Sequence, residues 1–263
     1  MVVDVDDDLA AIEPRNPAFT HYHPRLSPDR NWHHLARACA AADLVTVSTP
    51  ALAERYGRHG RVCVLPNYVP ARYLHVARPA AALTSPVLGW TGTPMTHRGD
   101  LAVAGDAVRR ALQATGATFL AIGSEHTLTA LGIPGEVAPW TPIDRYPEQV
   151  ARLDVGIAPL ELTKFTAAKS WLKPSEMAAL GVAVVMSPTE EYLRLAALGV
   201  GEIARRPREW EGILRRLLTD HGWRRERAAT GRAVMAGLTY EKFAGRWWDA
   251  WVSAARARRP ACA

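Results

Sequence analysis

Cysteine is scarce in this chain, and the three present, Cys39, Cys63 and Cys262, are scattered and odd in number. That excludes a disulfide framework and a cysteine-based metal site, and it points to a reducing compartment. No apolar run is long enough to span a membrane, and Met1 does not open a signal-peptide pattern. Internal repeats and low-complexity tracts are missing too. Histidines 21, 23, 33 and 34 have no carboxylate or cysteine at ligand spacing, so no metal is expected there. What remains is a chain of 263 residues, 48% apolar and 22% charged, long enough for one large domain or two small ones.

The formal charge of +6 comes with arginine clusters at 205–208, 215–227 and 256–259. Solvated helix faces and a basic terminus account for them. The other readings are an acidic membrane surface, a phosphorylated ligand or nucleic acid. No nucleic-acid motif supports the last, so no nucleic-acid partner is expected. The acidic cluster of Asp4, Asp6, Asp7 and Asp8 has the Asp-x-Asp spacing of divalent-ion ligands, but a strand-end acidic turn explains it more simply.

From residue 82 to about 204 the chain alternates strand and helix patterns. Strands are expected at 87–91, 118–122, 136–138, 155–159, 182–186 and 200–204. Helices are expected at 100–115, 125–131, 143–153 and 188–198, the first with Leu101, Ala104, Val108, Ala111 and Leu112 on one face. Such alternation predicts an α/β fold with a parallel sheet covered on both faces. In residues 1–76 the expected strands are 2–5, 44–47 and 62–65. Helices are expected at 32–42 and 50–56, the latter capped by Ser48 or Thr49. Residues 14–29 lack periodicity and are expected as loop, and 70–86, rich in alanine and proline, as a connection. After 205 the pattern is helical: 208–220, 223–237 and 239–256. The last carries a stripe of Tyr240, Phe243, Trp247, Trp251 and Ala254, the mark of a docking face.

The most informative stretch is DVGIAPLELTKFTAAKSWLKPSEMAALGVAVVMS, from Asp154 to Ser187. It has the pattern of strand, polar loop, short helix and strand. The loop, 161–173, carries Lys164, Lys169, Ser170 and Lys173. Pro174 is a candidate first helical residue, and Gly181 ends the helix. A βαβ unit of this kind aims cations and a helix N-terminus at one place beyond the strand ends, where open α/β sheets bind phosphorylated ligands.

Four passages in this order resemble the GT-B glycosyltransferases of the retaining, group-1 kind, including phage and actinobacterial members. ADLVTVSTPALAERYG and VLPNYVP are similar to the end of the first domain. LGWTGTPMTHRGDL is similar to the first strand and loop of the donor domain. KSWLKPSEMAALGVAVVMSPT is similar to the nucleotide-sugar motif, the most specific of the four. LTYEKFAGRWWDAW is similar to the terminal helix that crosses back to the first domain. The resemblance implies a partial first α/β domain at 1–76 and a linker at 77–86. It implies a Rossmann-like nucleotide-sugar domain at 87–237, then a crossing helix and basic tail at 238–263. Only about the last third of a first domain is expected, without its glycine-rich loop, so the resemblance also leaves room for one half of a split enzyme with a separate partner chain. The family motif has two glutamates about two helical turns apart. Glu176 matches the later one, while the earlier position falls near Ala168 and Lys169.

The implied activity is transfer of a hexose from a nucleotide diphosphate sugar to an acceptor that the sequence does not name, whether glycan, lipid or protein. Lys169, Lys173 and Arg98, with the backbone at the helix start, would stabilise the leaving diphosphate in place of a metal. No cofactor is expected. Glu176 would accept the ribose hydroxyls; a helix-terminal glutamate favouring the dipole is the plainer alternative. Thr91, Gly92 and Thr93 after one strand, and Gly123 and Ser124 after the next, are candidate phosphate and ribose contacts, joined by Ser170. Gly123-Ser124-Glu125 has an alternative role in capping the next helix. Trp140 and Pro142 fall where the resemblance places a base-stacking loop, although a buried packing tryptophan is the default. One of the early histidines is a candidate for lining the acceptor cleft. The expected location is cytoplasmic, with peripheral contact to the inner membrane face through basic helices. The alternatives are a non-catalytic nucleotide-sugar-binding remnant and a nucleotide-sugar epimerase of the same fold.

Overall fold

A computed structural model describes residues 1–79, 85–96 and 99–257. In chain order the elements are β1 (Val2–Val5), α1 (Phe19–Tyr22), α2 (Asn31–Ala41), β2 (Leu44–Val47), α3 (Pro50–Tyr56) and β3 (Val62–Val64). Then come β4 (Val87–Gly92), α4 (Asp100–Thr115), β5 (Thr118–Gly123), α5 (His126–Leu131), β6 (Glu136–Pro139) and α6 (Tyr146–Val150). The rest are β7 (Val155–Ala158), α7 (Leu172–Ala179), β8 (Ala183–Met186), α8 (Glu190–Ala197), β9 (Glu202–Ile203), α9 (Pro207–Thr219), α10 (His221–Met235) and α11 (Tyr240–Ala257). The chain forms two compact units. The first holds Met1–Tyr68, Leu162–Ser170 and α11; the second holds Val69–Glu161 and Trp171–Thr239. Contacts thus put the segment after Tyr68 with the second unit and the loop Leu162–Ser170 with the first, where the sequence pattern drew its boundaries at 76 and 87.

In the first unit β1, β2 and β3 form a parallel sheet in that order. Asp4 pairs with Thr46 across β1 and β2, and the Thr46 hydroxyl donates to the Asp4 carboxylate. The other aspartates are also engaged. Asp6 accepts from the Asn67 amide at 2.8 Å, Asp7 pairs with Lys169 at 2.8 Å, and buried Asp8 pairs with Arg55 at 2.6 Å. The Tyr56 hydroxyl also donates to Asp8. The cluster therefore ties the loop after β1 to its surroundings by charge pairing. Among the described residues no group of His, Cys, Asp and Glu is placed to hold a metal ion. Thr49 caps α3 by accepting from the Leu52 N–H at 3.3 Å, as its position before Pro50 predicts.

The second unit is built on a parallel sheet of order β6-β5-β4-β7-β8-β9. Alternate residues of each strand face opposite layers, the period-2 rule made visible. Leu88, Trp90, Phe119, Ala121, Val155, Ile157, Ala183 and Val185 pack with α4 and α9. Leu120, Ile122, Ala158, Val184 and Met186 pack with α7, α8 and Met235 of α10. Burial on both faces explains why these strands are continuous apolar runs. The order also creates a switch point. The chain steps outward from β4 to β5 and β6, then returns to the other flank of β4 with β7. The crevice at the carboxyl ends of β4 and β7 is where open α/β sheets receive ligands.

Several local expectations are corrected. The helix after β7 starts at Leu172, so Lys173 lies in its first turn and Pro174 is its third residue. A proline is tolerated there because first-turn N–H groups have no intrahelical partner. The preceding loop holds a 3-10 turn, Thr166–Ala168, fixed by hydrogen bonds between Thr163 and Thr166. Residues 14–29 include α1. The helix expected at 143–153 shortens to α6, with Pro147 at its start. The strand expected at 200–204 is β9, Glu202–Ile203, with Gly201 at φ 74° breaking the extended run before it. Trp140, whose default is burial, is 60% exposed. Within 70–86, Tyr73 and the neighbouring Val69 are buried in the second unit's core, and Ala71–His75 is a 3-10 turn.

Candidate functional site

The carboxyl ends of three adjacent strands form a continuous rim. Gly92 pairs with Gly123, and Gly123 with Pro139, so the last residues of β4, β5 and β6 lie side by side. Both glycines need their identity. Gly92 has φ 140° and Gly123 has φ 112°, in the left-handed region that side chains avoid. A Cβ on Gly123 would lie 2.7 Å from the Trp140 indole and 2.9 Å from the Gly92 carbonyl oxygen. One on Gly92 would strike the Trp90 ring at 2.9 Å and sit 3.4 Å from Lys173 Nζ. The rim is therefore a backbone floor, with the exposed Trp140 ring lying over one glycine and a lysine ammonium over the other.

Lys173 is half-buried, its ammonium 4.9 Å from the centroid of the buried Trp90 ring. The indole face holds the cation by cation–π attraction while leaving it beside Gly92. One helical turn on, the half-buried Glu176 carboxylate accepts from the Tyr146 hydroxyl at 3.3 Å and from the Tyr73 hydroxyl. The same Tyr146 oxygen lies 3.3 Å from Thr91 Oγ1, whose hydroxyl can donate to it while the phenol hydrogen goes to Glu176. Burial raises the Glu176 carboxyl from 4.5 to about 7, the two tyrosine hydroxyls and the Lys173 charge pulling against it. Burial and the neighbouring Glu176 charge also push the Tyr146 phenol upward, so it stays a neutral donor. The N-terminus of α7 adds its partial positive charge here.

The sequence-predicted residues divide as follows. Thr91, Gly92, Gly123, Lys173 and Glu176 come together at this rim. Thr91 is buried and its hydroxyl is engaged with Tyr146. Thr93 sits just beyond β4 in a turn where its oxygen accepts the Met95 N–H at 3.4 Å. Ser124 accepts the His126 N–H at 3.3 Å, the capping role at the start of α5. Lys169 and Ser170 belong to the first unit. Lys169 pairs with Asp7 and lies 4.6 Å from the Phe165 ring centroid, and Ser170 Oγ accepts from Asn67 at 2.9 Å. Arg98 lies outside the described residues. Pro142 opens the turn that leads into α6, its carbonyl accepting the Arg145 and Tyr146 N–H groups. Sequence reasoning missed Tyr73, Tyr146 and Trp90. Only Trp90 carried a signal, as the large residue of a strand that runs into Thr91-Gly92-Thr93.

Comparison with known proteins agrees with this architecture. No family model matches the chain, and no curated protein matches it in sequence. Solved structures do match. HepE of Anabaena, crystallised with UDP and glucose, is 15% identical with a TM-score of 0.67, over 96% of this chain and 71% of that one. WaaG, a glycosyltransferase involved in lipopolysaccharide biosynthesis, is 16% identical with a TM-score of 0.60, over 79% and 62%. Sucrose-phosphate synthase from Thermosynechococcus elongatus is 15% identical with a TM-score of 0.64, over 87% and 63%. The fold is that of the GT-B glycosyltransferases. Among the described residues no helix is long and apolar enough to cross a membrane.

Proposed function

We propose that this chain is a glycosyltransferase that takes a hexose from a nucleoside diphosphate sugar, and that the rim of β4, β5 and β6 with the start of α7 is its donor site. One observation carries the reading: an open tryptophan face over Gly123, a lysine ammonium over Gly92 and a half-buried carboxylate one turn further, all at the switch point of a parallel sheet. Trp140 supplies a stacking face for the base. Glu176 accepts the ribose hydroxyls. Lys173 and the α7 N-terminus face the diphosphate. In the reaction the bond from the sugar's anomeric carbon to the diphosphate oxygen breaks, an acceptor hydroxyl oxygen bonds to that carbon, and its proton passes to solvent water. The nucleoside diphosphate leaves with the bonding pair, and Lys173 counters the charge that builds on it. A resident cation of this kind does the work a divalent ion does elsewhere. Neighbours such as HepE, solved with UDP and with UDP-glucose, make a uridine donor the first to try. The group-1 assignment, retention of configuration and cytoplasmic action belong to the same proposal, through the Lys169–Thr189 motif.

The test is nucleoside diphosphate release from UDP-glucose with a panel of glycan and lipid acceptors. Acceptor-dependent release is expected, falling at least a hundredfold in Lys173→Ala while its melting temperature holds. Lys169→Ala is expected to slow release as well. Release that is insensitive to Lys173→Ala contradicts the assignment. Ala168 and Lys169 stand where the family motif has its earlier glutamate, and this favours donor binding without transfer as the second reading. Saturable binding with no release for any acceptor is its signature, and a changed sugar without acceptor is that of an epimerase.

A further inference from the structure

One cleft of the second unit lies away from the donor rim. It opens at the other ends of the strands, beside Pro86 before β4, Asp154 before β7 and Gly181 before β8. Its volume is about 760 Å³, within the range of small-molecule sites. The six residues of β4 separate it from the donor rim by roughly 20 Å.

Its lining is one-sided in charge. Arg78, Arg224, Arg225, Arg232, His75 and His221 surround it, against the single carboxylate of Asp154. Three of these guanidinium groups are held by backbone carbonyls, which position them without cancelling their charge. Arg224 donates to Leu217 and Leu218, Arg232 donates to Leu74, and Arg78 donates to Leu153 and Gly181 as well as pairing with Asp154 at 3.2 Å. Both Arg78 and Arg232 come within 4 Å of a Cβ placed on Gly181, so two chains converge on one point. Burial and the like charges of Arg224 and Arg232 depress the Arg78 pKa, the mark of a crowded cationic site. A guanidinium has five donors, so even Arg78, with two carbonyls and Asp154, and Arg224, with two carbonyls, keep donors open to a ligand. The floor is apolar: Leu74 and Pro86 on one side, Ala228, Ala229, Ala233 and Ala236 along α10 on the other.

We propose that this cleft is a second ligand site, distinct from the donor site, for an organic phosphate: a phosphoryl anion that the arginines grip, attached to a compact apolar body that the alanine face takes. Arginine forks match phosphate oxygens in pairs, and the alanines leave room where longer side chains would fill the space. A merely solvated helix face would have its charges dispersed outward and no cavity between them.

Calorimetry of the full chain at constant ionic strength tests this with two probes, 1-naphthyl phosphate and inorganic phosphate. Single-site binding of 1-naphthyl phosphate is expected, at least tenfold tighter than inorganic phosphate. It should weaken at least tenfold in His221→Gln/Arg225→Gln and stay unchanged in Lys173→Ala. Both side chains of the double variant are exposed on α10, and glutamine keeps the helix, so the fold survives it. Arg232→Gln provides a second reading on the buried side of the cleft. Three results overturn the proposal: no saturable binding, equal affinity for the two probes, or binding lost in Lys173→Ala and kept in the double variant. UDP-glucose binding is measured separately, so a failed donor assignment leaves this outcome legible.

Discussion

Glu176 combines a charge role with an environment that resists charge. Its carboxyl titrates near 7 in the folded chain and near 4.5 when unfolded. The folded state therefore holds a proton across that interval that the unfolded chain has released, and each rise in pH favours unfolding. This contribution to stability is whole below pH 4.5 and lost above about 7. With Glu176 as the proposed acceptor of the ribose hydroxyls, which donate to its ionised form, nucleotide binding near pH 7 should expel about half a proton. Titrating UDP in two buffers of different ionisation enthalpy measures it, and Glu176→Gln should abolish the release. No difference between the buffers would detach the ribose from this carboxylate. Glu176 and Lys173 were legible in sequence because a specific motif surrounds them. Tyr146 and Tyr73 were not, because each reaches the site from a short turn or helix that has no period to read. Burial is the default for an indole, but Trp140 is open, beside Gly123, where a Cβ would lie 2.7 Å from its ring.

At the level of elements, β1, β2, α3 and α4 carried strong local signals and fall where the patterns predict: short apolar runs for the strands, Thr49 before Pro50, a clean apolar face on α4. α7 begins at Leu172, two residues before Pro174, because proline fits any first-turn position and so does not mark the first helical residue. The aromatic stripe of α11 was half legible. Phe243 stacks on Tyr68 with ring centroids 4.3 Å apart, and Trp247 meets the same ring edge-on at 5.9 Å. Arg246 donates to the Tyr68 hydroxyl at 3.1 Å. Tyr240 and Trp251 of the same stripe stay exposed, as does Trp248 beside it. One tyrosine is thus the anchor for the helix. Phe243→Ala should cost about 1–2 kcal/mol, less than a fully buried phenylalanine. Hydrogen exchange should show faster opening of α11 and unchanged protection in β4–β8. Loss of protection in the second unit would show that the stack does more than hold its own helix.

Across the whole molecule, the parallel sheet and its two covered faces were legible because strands buried on both sides are unbroken apolar runs. The assignment of segments to units was not. Local pattern gives no sign that Leu162–Ser170 joins the first unit while Trp171 returns to the second, since that depends on contacts far apart in sequence, such as Thr49 with the Ala168 carbonyl at 3.1 Å. Fold and charge meet in the second unit. One end of its sheet presents glycines, a tryptophan and a lysine; the other presents arginines over alanines. The central claim is that the first of these ends binds the donor. Titration calorimetry of UDP-, GDP- and dTDP-sugars into the intact chain tests it most directly. Single-site binding of one of them is expected, weakened about tenfold or more in Trp140→Ala through loss of base stacking worth roughly 1–3 kcal/mol. Absence of binding by all of them, or binding indifferent to both Trp140→Ala and Glu176→Ala, would contradict it.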